Sequence, residues 1–270
     1  MSYHLHITNK NYSSWSLRPW LLLRQLNIPF TEHLHPLISG TFAQPQWRAF
    51  SPVAHVPCLH ILPDTTTTTT TTNPSNPSPT VEDKTEAAAP LILWDSLAII
   101  EHLAESHPDK PIYPSSPAAR AWARSAVAEM HAGFSAIRQT LGFNIGVRVA
   151  VGDEVFEGAE GEALARDLRR VDELWTEGLE RFGGPFLGGA EFGAVDAFFA
   201  PVVLRVRTYE GVEGRFLGGR ARGYVERMVQ VEGVREWVGE ALKETGREVV
   251  HEKESVEGRG KRLVADLRAT

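Results

Sequence analysis

Asn9-Lys10-Asn11-Tyr12-Ser13-Ser14-Trp15-Ser16-Leu17-Arg18-Pro19-Trp20 is the stretch on which the reading of this chain turns. Upstream, Tyr3, Leu5 and Ile7 alternate on one face of a strand predicted over residues 3–8. Downstream, the apolar run from Trp20 to Leu26 predicts a helix, with Ser16 as its N-cap and Pro19 in its first turn. Three serines therefore fall where a strand ends and a helix begins. Unpaired backbone N–H groups and the positive end of the helix dipole meet at such a point and favour an anion. A serine hydroxyl adds one more donor. The same serines also suit a plain helix cap, and residue type alone leaves both roles open.

Working outward, the first segment reads strand, helix, strand. The helix stops before Pro29, and residues 30–34 form a second strand. A loop with Pro36, Gly40, Pro45 and Pro52 follows. Residues 57–62 and 91–94 then read as two strands. Asp95 or Ser96 caps a helix with apolar positions at Leu97, Ile100, Leu103 and Ala104, ending near Ser106. Between those two strands, residues 63–90 hold an unbroken threonine run, 65–72, followed by Asn, Pro and Ser. That composition has too little apolar surface to offset its ordering entropy, so the segment is expected to be a disordered insertion in a turn.

Four prolines within residues 108–117 mark a domain boundary. Beyond it the pattern is helical, over residues 118–141, 160–182, 195–206, 222–231 and 234–244. The charged tail, 245–270, is expected to be partly helical or frayed. The division is thus 1–107, 117–244 and the tail.

The formal charge of −6 argues against nucleic acid or an acidic membrane surface as the main partner. No apolar run approaches the roughly 20 residues that span a bilayer. A single cysteine, Cys58, excludes an intrachain disulfide framework, and the N-terminus lacks a basic-then-apolar leader. The expectation is a cytoplasmic protein. The histidines show no HExxH spacing and there is no Cys-x-x-Cys, so neither a metal site nor dithiol exchange is expected.

Taken together, four features in order resemble a cytosolic glutathione transferase with a serine-type, zeta-like active site. Ser13-Ser14-Trp15-Ser16-Leu17-Arg18 is similar to the zeta pattern of two serines, a cysteine and an arginine; Trp15 stands in place of the cysteine. Val56-Pro57 matches the dipeptide whose proline is cis in thioredoxin-like folds. Asp95-Ser96, between strand and helix, matches the Glu/Gln-Ser pair of the family. Phe192-Gly193-Ala194-Val195-Asp196 is similar to the family's capping box, with Gly193 replacing its hydroxyl residue.

The resemblance implies a thioredoxin-like βαβ-ββα domain followed by an all-helical domain. It implies Ser13 as the residue holding the glutathione thiolate, with Ser14 and Ser16 as alternative donors. It further implies that Val56, Pro57 and the neighbouring His55 meet the cysteinyl backbone, and that Asp95 and Ser96 hold the γ-glutamyl end. Trp15, Trp47 and Arg205 are candidates for the acceptor pocket, although the two tryptophans also suit a core and Arg205 also suits an ion pair. Glutathione would be the co-substrate, a small electrophile the acceptor, and a homodimer the usual assembly. Conjugation, isomerisation and peroxide reduction all start from the same thiolate. A non-catalytic glutathione-binding or protein-interaction module with the same fold is the rival reading.

Overall fold

The computed structural model describes residues 1–37, 44–63 and 89–268. Nearly all of the predicted insertion, 63–90, therefore lies outside the described residues. The first domain runs β1 (Ser2–Ile7), α1 (Ser14–Gln25), β2 (Phe30–Leu34), β3 (Cys58–Leu62), β4 (Leu91–Trp94) and α2 (Ser96–Ser106). Its sheet has the order β2-β1-β3-β4, with β1 parallel to β2 and the other pairs antiparallel. This is the thioredoxin-like layout.

The strand alternation decides which face meets the helices. Tyr3, Leu5 and Ile7 are buried with Leu17, Leu21, Ile99, Ile100 and Leu103. The opposite face carries histidines. His4 and His6 of β1 flank His33 of β2 and the following His35, with His60 of β3 beside them. Phe50 stacks on His6 at 4.5 Å and His35 at 4.1 Å. Burial and the surrounding histidines push His6 down to about 3, so His6 is neutral at neutral pH.

The helical domain contains α3 (Pro117–Ala132), α4 (Ser135–Thr140), β5 (Val147–Val151), α5 (Gly158–Phe182), α6 (Ala194–Thr208), β6 (Tyr209–Glu210), α7 (Val212–Phe216), α8 (Gly219–Met228), α9 (Glu232–Ala241), α10 (Val249–Val256) and β7 (Lys261–Asp266). Helix α6 is its centre, buried along almost its whole length. Its first turn is tied by Asp196, whose carboxylate accepts the N–H of Gly193 at 3.0 Å, as the capping box predicts.

Four local expectations change. The N-cap of α1 is Ser13, three residues before Ser16, because the loop already turns at Asn9, whose carbonyl accepts the N–H of Tyr12 and Ser13. The long helix predicted over 118–141 is two helices. Gly133 leaves helical backbone at φ −99°, ψ −162°, and Phe134 follows at φ +56°. A side chain at Gly133 would meet the Glu129 carbonyl at 2.8 Å. The helical domain also carries a three-stranded sheet, β6-β5-β7, which periodicity of helices alone does not show. Finally, the segment read as a partly helical or frayed tail folds back as α10 and β7, and β7 pairs antiparallel with β5.

The two domains are tied at the loop preceding Ser13. The Lys10 ammonium sits 2.8 Å from Glu32, beside Glu240 of α9, over the rings of Trp20 and Trp237. Glu244 accepts the N–H of Lys10 at 2.7 Å and of Asn11 at 3.2 Å. Asn11 Oδ1 in turn accepts the N–H of Gly146 at 2.7 Å. Tyr12 donates to Glu252 of α10, and Arg268, just after β7, reaches Tyr12, Glu252 and Asp266. Every residue from 10 to 12 is thus held by the second half of the chain.

Candidate functional site

Ser13 caps α1. Its hydroxyl oxygen accepts the N–H of Ser16 at 3.2 Å and lies 2.8 Å from the Ser16 hydroxyl. Ser16 is fully buried, and its oxygen also accepts the Thr8 N–H at 3.4 Å. Ser16 therefore stands behind Ser13. Because hydroxyl protons rotate, Ser16 can donate to Ser13 while Ser13 turns its own proton outward. Ser14 is the first residue of the helix, and its hydroxyl makes no hydrogen bond among the described residues. The N–H groups of Ser14 and Trp15 fall in the first turn, where no intrahelical acceptor exists.

Ser13, Ser14 and Trp15 open onto a cavity of about 220 Å³ between the two domains. Thr8, Tyr12, Trp47, His55 and Val56 line it from the first domain. Arg138, Phe143, Arg205, His251 and Glu254 line it from the second. The peptide bond Val56–Pro57 is cis, and Pro57 is buried behind Val56. His55 is exposed, with Nδ1 2.6 Å from the Val53 carbonyl. The structure thus brings together Ser13, Ser14, Trp15, Trp47, His55, Val56 and Arg205.

Asp95 and Ser96 are not on that wall. They cap α2 one patch further on, beyond Trp15, whose ring lies 5.5 Å from that of His131. Asp95 adopts φ +78°, uncommon outside glycine, and accepts the Leu97 N–H at 2.7 Å. Its other oxygen lies 3.4 Å from His131 Nε2. The Ser96 hydroxyl is buried with no partner among the described residues.

Arg205 departs from the expectation of a solvated or intramolecular ion pair. It is buried, donates to the carbonyls of Leu141 and Pro201, and lies over Phe143. Burial pushes it down to about 10. Cys58 is buried, donates to the Phe50 carbonyl, and is pushed up to about 11 by burial. It is a core residue.

On the wall supplied by the second domain, sequence reasoning named Arg205 and missed Arg138, Phe143, His251 and Glu254. Arg138 lies on α4, hidden inside what reads as one long helix. His251, with Nδ1 2.6 Å from Glu248, lies on α10, in what reads as a tail. Among the described residues, no helix is long and apolar enough to cross a membrane. Nor does any group of three or more His, Cys, Asp and Glu there have a metal-holding arrangement.

Residues 12–106 match the family model described as the glutathione S-transferase N-terminal domain, a span that contains Ser13, Val56-Pro57 and Asp95-Ser96. No curated protein matches the chain. Similar solved structures include a glutathione transferase homologue from Burkholderia with bound glutathione. It is 17% identical, covers 89% of this chain and 98% of its own, and superposes with a TM-score of 0.56. A Tau class glutathione S-transferase from mango is 17% identical, with 94% and 96% coverage and a TM-score of 0.59. A trimeric glutathione transferase from Leishmania is 15% identical, with 89% and 48% coverage and a TM-score of 0.59. The chain accordingly has the fold of glutathione transferases across both domains, and over residues 12–106 it matches the N-terminal domain of that family.

Proposed function

We propose that the chain is a glutathione transferase in which Ser13 holds the thiolate of glutathione for attack on a small electrophile. One observation carries the reading: two serines at a helix N-terminus share a cavity with Val56 of the cis Val56–Pro57 bond. Val56 offers its backbone to the cysteinyl unit, as one more short antiparallel strand would. His55 borders that contact. Asp95 and Ser96, at the start of α2, suit the ammonium and carboxylate of the γ-glutamyl end.

The energetics are adequate. A free thiol has a pKa near 8.5, and lowering it by about two units takes roughly 2.7 kcal/mol. The N-terminus of α1 contributes about 0.3–2 kcal/mol to an adjacent anion. A hydrogen bond from Ser13 to the charged sulfur adds about 1.5–3 kcal/mol. In the reaction the sulfur lone pair forms the new S–C bond. In substitution the leaving group departs with its electron pair; in addition the acceptor's π bond breaks, and its pair stays on the acceptor, which takes a proton from solvent.

Ser13→Ala is expected to lower kcat/KM with an activated aryl chloride about 100-fold, the scale of losing one charge-stabilising donor. Ser14→Ala should lower it much less. A larger loss in Ser14→Ala would move the donor role to Ser14. Full activity in both would remove the serine assignment altogether.

A further inference from the structure

Helix α10 supplies nothing that the glutathione reading uses, yet its first turn borders the site. His251 lines the cavity of about 220 Å³ on the second-domain side, with Ser13 and Val56 on the first-domain side. The imidazole is buried, and its Nδ1 lies 2.6 Å from Glu248 Oε2. Glu248 is itself buried, and the same oxygen accepts the N–H of His251 at 2.9 Å. The helix that carries the pair is fixed. The Ser255 hydroxyl donates to the His251 carbonyl at 2.7 Å, and the Ser255 carbonyl accepts the Tyr209 hydroxyl at 3.2 Å.

A carboxylate held against one imidazole nitrogen does two things. It keeps a proton on Nδ1, so Nε2 is the atom that exchanges one. It also stabilises the imidazolium form. Capping α10 needs only the backbone N–H of His251, so the cap does not account for an imidazole in the cavity wall. The neighbouring groups are committed elsewhere. The Tyr12 ring lies 5.2 Å from the imidazole, but its hydroxyl donates to Glu252 and accepts from Arg268 at 3.2 Å and from the Glu248 N–H at 3.4 Å. Burial and Glu252 make that hydroxyl hold its proton more tightly than a free tyrosine does. Arg138 and Arg205 donate to backbone carbonyls. His55, a second imidazole lining the cavity, is exposed and has a neutral carbonyl at Nδ1 where His251 has a carboxylate. Glu254, one turn along α10, is exposed and opens this wall to water.

We propose that His251, oriented by Glu248, donates the proton that an oxygen of the acceptor takes up as the new S–C bond forms. This rests on the glutathione reading above and adds the immediate proton donor, in place of solvent. The sulfur lone pair forms the S–C bond. The C–O bond of the acceptor breaks and leaves its pair on oxygen. Nε2 of the imidazolium gives that oxygen its proton, and the neutral imidazole regains one from water at the cavity edge. Glu248 is the positioning residue. The acceptors that gain are those whose broken bond leaves its pair on oxygen; a halide departs as a stable anion and needs no such proton.

The test compares two acceptors of nearly equal size, styrene oxide and phenethyl bromide, with glutathione and the full chain. The wild type is expected to turn over both. In His251→Asn, whose amide nitrogen takes the place of Nδ1, the ratio of kcat for the oxide to kcat for the bromide should fall at least about 100-fold, the lower end for general acid catalysis. Glu248→Gln keeps an acceptor for the cap of α10 and should lower the ratio in the same direction by less. Turnover of the bromide shows that a variant is folded, and Glu248→Gln decides the matter where His251→Asn is not. An unchanged ratio in the folded variants makes the pair a helix cap alone and overturns the proposal. Wild-type turnover of the bromide without the oxide also overturns it and leaves the transferase reading standing. Turnover of neither acceptor overturns both.

Discussion

Asp196→Ala is expected to lower the free energy of unfolding by about 3–5 kcal/mol, the cost of opening a buried polar network. Asp196 is fully buried at the start of α6. Its two oxygens accept the N–H of Leu187 at 3.0 Å, the N–H of Gly193 at 3.0 Å and the hydroxyl of Tyr224 at 2.9 Å. Burial raises this carboxyl to about 6 in spite of those three donors. Alanine leaves all three donors buried without an acceptor, at about 1–3 kcal/mol for each unsatisfied group. Against a total stability of about 5–15 kcal/mol, this leaves the protein close to unfolding. Urea unfolding at pH 7 measures it. Asp196→Asn keeps one carbonyl oxygen and should fall between the two. A loss under about 1 kcal/mol in Asp196→Ala would mean the donors find other acceptors.

Arg268→Ala is expected to cost about 100-fold in kcat/KM although Arg268 lies far from Ser13 in sequence. Its guanidinium joins Tyr12, Glu252 and Asp266, and Tyr12 directly precedes the cap of α1. Gly146 packs so tightly beneath it that a Cβ there would lie 2.4 Å from Arg268 Cδ. Without Arg268, the negative charge of Glu252 is unbalanced beside Tyr12, and the segment after β7 loses its link to the loop. Displacing a catalytic group by about 1 Å costs on the order of 100-fold. The effect should show as a raised pKa of bound glutathione thiol together with lost rate. Wild-type kinetics in a folded Arg268→Ala protein would make the C-terminal segment a bystander.

That second case shows where the sequence becomes hard to read. The first domain is written locally. Tyr3, Leu5 and Ile7 alternate, Phe30 to Leu34 is bounded by Pro29, and α2 ends at Ser106 before Pro108, so the strands and helices there fall close to their expected limits. Gly193 and Asp196 sit three residues apart, which makes the cap of α6 legible too. The second domain depends on partners distant in sequence. Val147, Val149 and Val151 do alternate between Gly146 and Gly152, a strand signal that was available. Lys261 to Asp266 is too charged to declare itself, and becomes a strand because β5 offers it an edge. In residues 118–141 the alanine-rich composition masks the break at Gly133, and with it Arg138.

The site divides in the same way. Ser13, His55 and Val56 are named through the resemblance of Ser13-Ser14 and Val56-Pro57 to family motifs, all of which lie in the first domain. Ser16 is assigned as the cap by residue type, yet the turn at Asn9 gives that place to Ser13 and leaves Ser16 buried behind it. Arg205 is named through the resemblance, whereas Arg138 and His251 reach the cavity only through packing of α4 and α10, which no local pattern records.

The central claim is that this protein stabilises the glutathione thiolate, and the most direct measurement is an ultraviolet titration of glutathione bound to the wild-type protein, following thiolate absorbance with pH. The account predicts a bound-thiol pKa of about 6.5, roughly two units below the free thiol. Below that pKa the thiolate and its absorbance should disappear. A bound thiol still titrating near 8.5 would contradict the account and leave a glutathione-binding module with a transferase fold.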